Sequence, residues 1–125
     1  MLSCPVMKLR TKRAGRPVVV LGDARIVRSR PDDLYQTIAW AWWEDLIDER
    51  RRAGRPASYR DFCAGNVSLS RDAFVRVGGF DPDFRGYGGE DYELGYRLIK
   101  AGVTFIVEPE ASARHYHRSS LRQIL

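Results

Sequence analysis

Residues 86–107 read GYGGEDYELGYRLIKAGVTFIV, a stretch that passes from a loop to a helix and then to a strand. Its closely spaced glycines suit a loop whose backbone a ligand can approach. Three carboxylates follow where unpaired N–H groups and the helix dipole favour negative charge. They are Glu90, Asp91 and Glu93. The spacing predicts a helix near 90–101 and a strand near 103–108.

Upstream segments extend the alternation of strands and helices. An apolar run near 17–22 predicts a buried strand, and 62–69 predicts a second strand with a Gly-Asn irregularity inside it. Helical spacing predicts a helix near 33–53 and a short one at 71–77. The fold class that we expect is therefore α/β, with a small mixed sheet flanked by helices.

The predicted helix near 33–53 carries an apolar row of Leu34, Ile38, Trp42 and Leu46. Side chains four residues apart lie on one face of a helix, so we expect this row to pack on the sheet. Tryptophans also suit the interface of a membrane, which is the alternative interpretation of the same row.

Composition and charge limit the class of protein. The chain has 125 residues, of which 44% are hydrophobic and 30% charged, the balance of one globular domain. We expect 17–125 to form that domain and 1–16 to be a flexible basic lead-in. No apolar run approaches the ~18 residues of a membrane span, and the first residues lack the apolar region of a signal peptide, which predicts a cytoplasmic location. The net charge is +5, but the arginines form no nucleic-acid motif, so no nucleic-acid partner is expected.

Several motifs in the second half together carry a family resemblance. The matching text is CAGNVSLSR at 63–71, GGFD at 78–81 and GYGGED at 86–91, followed by Glu93, Arg97-Leu98, Gly102 and the region of His115. In this order the motifs resemble the acceptor-side half of a GT-A-fold glycosyltransferase, whose fold is Rossmann-like. The likeness is to family 2 enzymes and to the C-terminal region of galactosyltransferases and polypeptide N-acetylgalactosaminyltransferases. It covers 60–118 closely and 17–60 loosely.

The resemblance implies roles for the glycine-rich loop and the acidic helix start. In inverting members of the family, the aspartate at this position is the base that deprotonates the acceptor hydroxyl, which here is Asp91. Glu90 would bond acceptor hydroxyls, and Tyr87 would offer a stacking face to a sugar ring beside Gly88 and Gly89. The residues by themselves leave another interpretation open, because carboxylates in a first helical turn are also ordinary capping groups.

The resemblance also implies a divalent cation, Mn²⁺ or Mg²⁺. The late histidine of the family is a ligand of that cation, and it corresponds best to His115, with His117 as the alternate and Arg118 following. Without the carboxylates of the rest of the enzyme, we expect weak binding of the metal by this chain. A surface histidine pair is the plainer interpretation of the same residues.

Family members begin with a nucleotide-sugar-binding half, and nothing before Val18 matches it. The chain is therefore expected to be a fragment or one part of a split enzyme: the acceptor-binding and base portion of an inverting, metal-dependent hexosyltransferase. The alternative is a non-catalytic saccharide-binding module. Expected partners are a nucleotide-sugar donor, a hydroxyl acceptor, and a separate nucleotide-binding half or a second copy. We also expect the missing half to leave an apolar face or a sheet edge exposed, which should cause dimerisation or poor solubility. A peripheral position at the inner face of a membrane is the alternative location.

Overall fold

The protein is a small mixed α/β domain, as the sequence predicts. The computed structural model describes residues 16–27, 34–52, 54–86 and 88–116. In chain order the strands and helices are β1 (Val18–Ile26), α1 (Leu34–Arg52), β2 (Val67–Leu69), α2 (Arg71–Arg76), α3 (Glu90–Lys100) and β3 (Thr104–His115). Two 3₁₀ turns, Tyr59–Asp61 and Ala64–Asn66, precede β2. Apart from Arg16, the predicted basic lead-in lies outside the described residues.

The sheet has the order β2-β1-β3, with β1 antiparallel to β2 and parallel to β3. Pairing of β1 with β3 is regular up to Gly22, which lies opposite Glu108. Asp23 then pairs with Ser112, so that 109–111 form a bulge at this point. The bulge lets β3 continue to His115, well beyond the strand near 103–108 that the sequence predicts.

The main core lies on one face of the sheet, between β1, β3 and helices α2 and α3. Successive β1 side chains alternate between faces, so Val19 and Leu21 enter this core while Val18 and Val20 enter a smaller cluster on the other face. The buried partners of Val19 and Leu21 are Phe62, Ala73, Leu94, Leu98, Val103 and Phe105. Leu94 and Leu98 are one helical turn apart and form the buried face of α3.

Helix α1 is packed by a different row from the predicted one. Leu34, Ile38 and Trp42 are 75%, 59% and 57% exposed, whereas Trp40 and Ile47 are buried, so the predicted packing face is wrong. Polar contacts set the rotation of the helix instead. The indole N–H of Trp43 donates to the Ala24 carbonyl at 2.7 Å. One guanidinium nitrogen of Arg50 donates to the Gly22 carbonyl at 2.9 Å and to Asp23 Oδ1 at 2.7 Å.

A buried ionic cluster explains why these polar contacts prevail. Asp23 is fully buried, and Arg50 and Arg51 each approach one of its carboxylate oxygens to 2.7 Å. Removing one partner of a buried pair leaves an uncompensated charge, typically at a cost of about 3–5 kcal/mol. Turning the row of Leu34 inward would take both arginines away from Asp23. The observed rotation therefore keeps the ionic cluster intact and leaves the apolar row in solvent.

The segment predicted as a strand at 62–69 is a strand only from Val67. Its first part contains the 3₁₀ turn Ala64–Asn66, whose last residue bonds to other elements through its side chain. The side-chain amide of Asn66 donates to the carbonyls of Asp23 and Ala111, at 2.8 and 2.7 Å. These bonds cross the bulge of β3, so Asn66 links the turn, β1 and β3. Within the described residues, no helix is long and apolar enough to span a membrane.

Candidate active site

A cleft of about 430 Å³ opens between α1, the 3₁₀ turns, the start of α3 and the end of β3. Its wall is mostly apolar, with a small number of polar groups, as is typical of ligand sites. The lining residues are Ile26, Trp42, Trp43, Phe62, Cys63, Gly65, Gly88, Gly89, Glu90, Asp91, Tyr92 and His115. The cleft thus brings together the predicted Gly88, Gly89, Glu90, Asp91 and His115. Tyr87, His117 and Arg118, which the sequence also singles out, lie outside the described residues.

Asp91 is held from outside its own helix. Its Oδ2 accepts a hydrogen bond of 3.1 Å from the backbone N–H of Ala64, in the turn before β2. Partial burial raises the pKa of Asp91 by disfavouring the charged form; the Ala64 N–H acts in the opposite direction, and repulsion from Glu90 adds to the rise. A carboxylate whose pKa is raised is a better proton acceptor than an ordinary one. The bond to Ala64 also ties the carboxylate to the turn before β2, an element other than the helix that it opens.

Glu90 lines the same cleft and carries one buried side-chain oxygen. Its Oε2 is inaccessible to solvent and has no hydrogen-bond partner among the described residues. Leaving a buried acceptor unsatisfied typically costs about 1–3 kcal/mol, so such an atom is well suited to a ligand that donates a hydroxyl. The orphaned oxygen therefore fits the predicted hydrogen-bonding role.

Glu93 serves the scaffold instead of the cleft. It forms an ion pair with Arg97 one turn later in α3. The same guanidinium donates to the carbonyls of Val77 and Gly79, the latter at 2.7 Å, and so ties α3 to the loop after α2. Of the three acidic residues that open α3, two face the cleft and one is structural.

The glycine loop needs glycine at two positions for a conformational reason. Gly88 and Gly89 have φ of 96° and 94°, in the left-handed region that other residues rarely adopt. A Cβ on Gly89 would also come within 3.2 Å of the Phe84 ring. These two residues turn the chain directly into α3 and so set the direction in which Glu90 and Asp91 point.

His115, the last residue of β3, lies on the far side of the cleft, and its Nδ1 is 4.0 Å from the place where a Cβ on Gly65 would stand. The imidazole thus adjoins the turn that anchors Asp91. The described residues contain no group of three or more His, Cys, Asp or Glu side chains arranged to hold a metal ion. They therefore do not form a complete site for a divalent cation, and His115 offers at most one ligand.

Two cleft features were not predicted from the sequence as site residues. Trp43 is fixed by its bond to Ala24, so its ring forms a rigid wall, and Trp42 beside it stands at the exposed edge. The thiol of Cys63 also lines the cleft, and burial raises its pKa, with an opposing bond from the Gly65 N–H and a further rise from Asp91. A thiol in this state stays protonated and is a poor nucleophile. In the sequence, the available signal for the two cleft tryptophans was their position side by side at the end of an uncharged helical segment.

Comparison with known proteins identifies enzymes that share this region. Residues 46–119, more than half of the chain, match the family described as the N-terminal domain of galactosyltransferase. The resemblance drawn from the sequence pointed to the C-terminal region of such enzymes, so the two agree on the class of enzyme and differ in the part that they name.

Individual relatives are named as glycosyltransferases or as synthases of a polysaccharide. A validoxylamine A glucosyltransferase of Streptomyces hygroscopicus subsp. jinggangensis is 59% identical over 46 residues, 37% of this chain and 11% of the relative. A chondroitin synthase of Pasteurella multocida is 44% identical over 57 residues, 46% of this chain and 6% of the relative. An N-acetylgalactosaminyltransferase 7 of Rattus norvegicus is 27% identical over 96 residues, which are 70% of this chain and 15% of the relative. The chain spans less than a fifth of the length of each of these relatives. By its family match, the chain belongs to the galactosyltransferase N-terminal domain family of glycosyltransferases.

Proposed function

We propose that this chain is the acceptor-binding and catalytic-base portion of a GT-A-fold, family 2-like glycosyltransferase that moves a hexose from a nucleotide sugar to a hydroxyl group with inversion. One observation carries the proposal: a carboxylate with a raised pKa, Asp91, is held by a backbone N–H inside a cleft. The family match and the names of the relatives support glycosyl transfer as the reaction class. The nucleotide-sugar site would come from another part of the enzyme or from a separate partner.

In the proposed reaction, the acceptor hydroxyl enters the cleft beside Asp91. Its proton passes to the Asp91 carboxylate while its oxygen forms a bond to the anomeric carbon of the donor. The bond from that carbon to the diphosphate oxygen breaks on the opposite side, and the nucleoside diphosphate leaves with the electron pair. A positioned base of this kind typically contributes about 10²–10⁴-fold to the rate.

The other cleft residues orient the acceptor in this proposal. The buried Oε2 of Glu90 accepts a hydrogen bond from a second hydroxyl, which removes the cost of leaving that oxygen unpaired. Aromatic rings with one exposed face suit the apolar faces of sugar rings, and Tyr92 and Trp42 are 43% and 57% exposed. Trp43 has no such freedom, since its N–H is already bonded to Ala24.

The proposal includes Mn²⁺ or Mg²⁺, which when bound would stabilise the charge of the leaving diphosphate. His115 is the one ligand that we assign to it, and the described residues do not complete a site. A single imidazole holds such hard cations weakly. Tight Mn²⁺ binding by this chain in calorimetry, or binding that survives His115→Ala, would contradict this assignment.

The decisive experiment is turnover of Asp91→Asn in an enzyme that combines this chain with a nucleotide-sugar site. Asparagine can still accept the Ala64 bond but cannot take a proton, so turnover should fall about 10²–10⁴-fold. Glu90→Gln should raise the acceptor KM more than it lowers kcat. The readout is release of nucleoside diphosphate from nucleotide sugars in the presence of saccharide acceptors.

Asp72→Asn provides the matched control. Asp72 is likewise a carboxylate in a first helical turn, that of α2, and it does not line the cleft. Its replacement should leave turnover unchanged. Full turnover of Asp91→Asn would show that the acidic start of α3 is a capping device and would remove the base assignment.

A non-catalytic saccharide-binding module is the second candidate. It is favoured by the exposed rings of Trp42 and Tyr92 at the cleft, which suit a sugar ring whether or not transfer follows. In that case, the chain would bind a saccharide, Asp91→Asn would leave the affinity unchanged, and no transfer would occur even with a nucleotide-sugar site present.

A further inference from the structure

Helix α1 is divided into an uncharged half and a charged half. Residues 34–43 read LYQTIAWAWW, without a charged side chain, whereas 44–52 read EDLIDERRR. On the uncharged half, Leu34, Ile38 and Trp42 are 75%, 59% and 57% exposed. We call these three residues the apolar stripe. Because they lie on one face of the helix, their exposure leaves a contiguous hydrophobic surface in water, and such patches mark interaction sites when they are large.

The apolar stripe is continuous with the cleft. Trp42 belongs to both, because its ring lines the cleft that contains Asp91 and Glu90. Ile38 lies one turn before Trp42 and Leu34 two turns before it, on the same helix face. At 1.5 Å per residue, the stripe extends about 12 Å from Trp42 along the helix axis.

The chemistry of the stripe changes with distance from the carboxylates. Beside them stand rings such as Trp42 and Tyr92, which suit a sugar, whereas Ile38 and Leu34 are aliphatic. Aliphatic side chains offer no hydrogen bonds to hydroxyl groups and gain only by excluding water from another apolar surface. A purely hydrophilic oligosaccharide would gain nothing from this part of the surface.

We propose that the acceptor is amphipathic, with a hydroxylated head group beside Asp91 and Glu90 and an alkyl chain that leaves the cleft past Trp42 along the apolar stripe. The inference rests on the proposed function, since it assigns the head group to the cleft. The class of acceptor is then an alkyl or lipid-linked glycoside rather than a free sugar.

The test compares methyl and hexyl β-D-glucoside, which share a head group and differ in chain length. Calorimetry with the full chain should give a hexyl glucoside affinity about tenfold higher, because part of the longer chain leaves water on the stripe. In a Leu34→Ala/Ile38→Ala variant this preference should fall to about threefold or less. The affinity for methyl glucoside should not change.

Val75→Ala is the matched control. Val75 is 57% exposed on α2 and does not line the cleft, so its truncation removes a similar apolar surface elsewhere. It should leave the preference for the hexyl chain intact. Alanine retains helix propensity at all three positions, so the folded helices should persist.

The opposing outcomes separate this inference from the proposed function. A hexyl glucoside that binds no more tightly than the methyl compound, or a preference that survives the double variant, would overturn the inference. If the stripe variant instead converts a dimer into a monomer in sizing experiments without any chain preference, a second copy occupies the stripe. If methyl glucoside binds and Glu90→Gln weakens it while the hexyl chain adds nothing, only the acceptor class is wrong. If Glu90→Gln affects neither compound, the proposed function fails as well.

Discussion

Asp61 and Asp91 are two partly buried carboxylates on neighbouring elements, and their pKa values are shifted in opposite directions. Asp61 accepts bonds from both terminal nitrogens of Arg55, at 2.7 and 3.0 Å, and from the Ser58 N–H at 2.7 Å. Burial acts to raise the pKa of Asp61, but these bonds outweigh it and leave the pKa below its ordinary value. Asp91 receives one bond, from the Ala64 N–H, and its pKa is raised.

The presence or absence of an arginine partner distinguishes the carboxylates that hold the fold from the proposed site carboxylate, Asp91. Carboxylates that hold the fold are matched with guanidinium groups: Asp61 with Arg55, Asp23 with Arg50 and Arg51, and Glu93 with Arg97. At Asp61 this matching lowers the pKa of the carboxyl and so makes the group a weak base. Asp91 is kept from water without that compensation. A partly buried carboxylate without a cationic partner, lining a cleft, is the expected mark of a functional group.

The largest expected effect on stability comes from the contact that joins the two regions. Gly95 of α3 lies against the turn that contains Asp61, and a Cβ there would meet the Phe62 Cβ at 2.8 Å and the Tyr59 carbonyl at 3.1 Å. Both obstacles are rigid, so Gly95→Ala should lower the free energy of unfolding by about 1–3 kcal/mol. Urea unfolding measures it. Gly86→Ala, where no atom lies within 4 Å of the new Cβ, is the control and should be nearly neutral. Equal effects of the two would mean that α3 does not need this close approach.

A smaller effect should distinguish the two carboxylates themselves. Asp61→Asn loses its ion pair with Arg55 and should cost about 1–2 kcal/mol, a range set by the partly exposed state of that arginine. Asp91→Asn keeps an oxygen for the Ala64 N–H and removes a partly buried charge, so the free energy of unfolding should stay within about 0.5 kcal/mol. Thermal or urea unfolding at neutral pH measures both. A large loss in Asp91→Asn alone would reverse the assignment of scaffold and site.

The pH dependence of the same two variants gives the finest test. A lowered pKa in the folded state makes Asp61 stabilising above its ordinary pKa, and this contribution is lost as pH falls through the folded pKa. For Asp91 the sign is opposite: the folded state holds the proton longer, so stability falls as pH rises from the ordinary pKa through the raised one. As pH rises from about 3 to about 7, the free energy of unfolding of the wild type should therefore increase relative to that of Asp61→Asn. Over the same range it should decrease slightly relative to that of Asp91→Asn. Parallel profiles would contradict the pKa directions.

Local sequence patterns were enough for most of the fold. β1, α2, α3 and the first part of β3 follow from their own periodicity, capping residues and glycine stops. The row on α1 was misjudged because apolar spacing does not reveal that Arg50 and Arg51 must meet Asp23 in another element. The turn at 64–66 was missed because Asn66 bonds carbonyls far away in the chain.

The candidate site was reached in a different way. Spacing alone could not separate a capping group from a base at Asp91; the resemblance proposed the role, and the geometry of the Ala64 bond supports it. The contribution of Trp42 and Trp43 depends on how α1 is rotated, which is set by contacts distant in sequence. The cleft residues on α1 could therefore not be predicted from the sequence, whereas Glu90 and Asp91 on α3 could.

The bond pattern of Asn66 has a consequence for how this cleft can diversify. A Cβ on Gly22 would stand 2.3 Å from the Ala111 carbonyl and 2.5 Å from the Asn66 amide nitrogen. Positions 22 and 66 therefore constrain each other: a side chain at 22 would displace the amide and also collide with the backbone of the bulge. Substitutions for a new acceptor can be made at the exposed rings of Trp42 and Tyr92, which do not share these contacts. Framework and specificity are thus encoded at separate positions, so one can vary without remodelling the other.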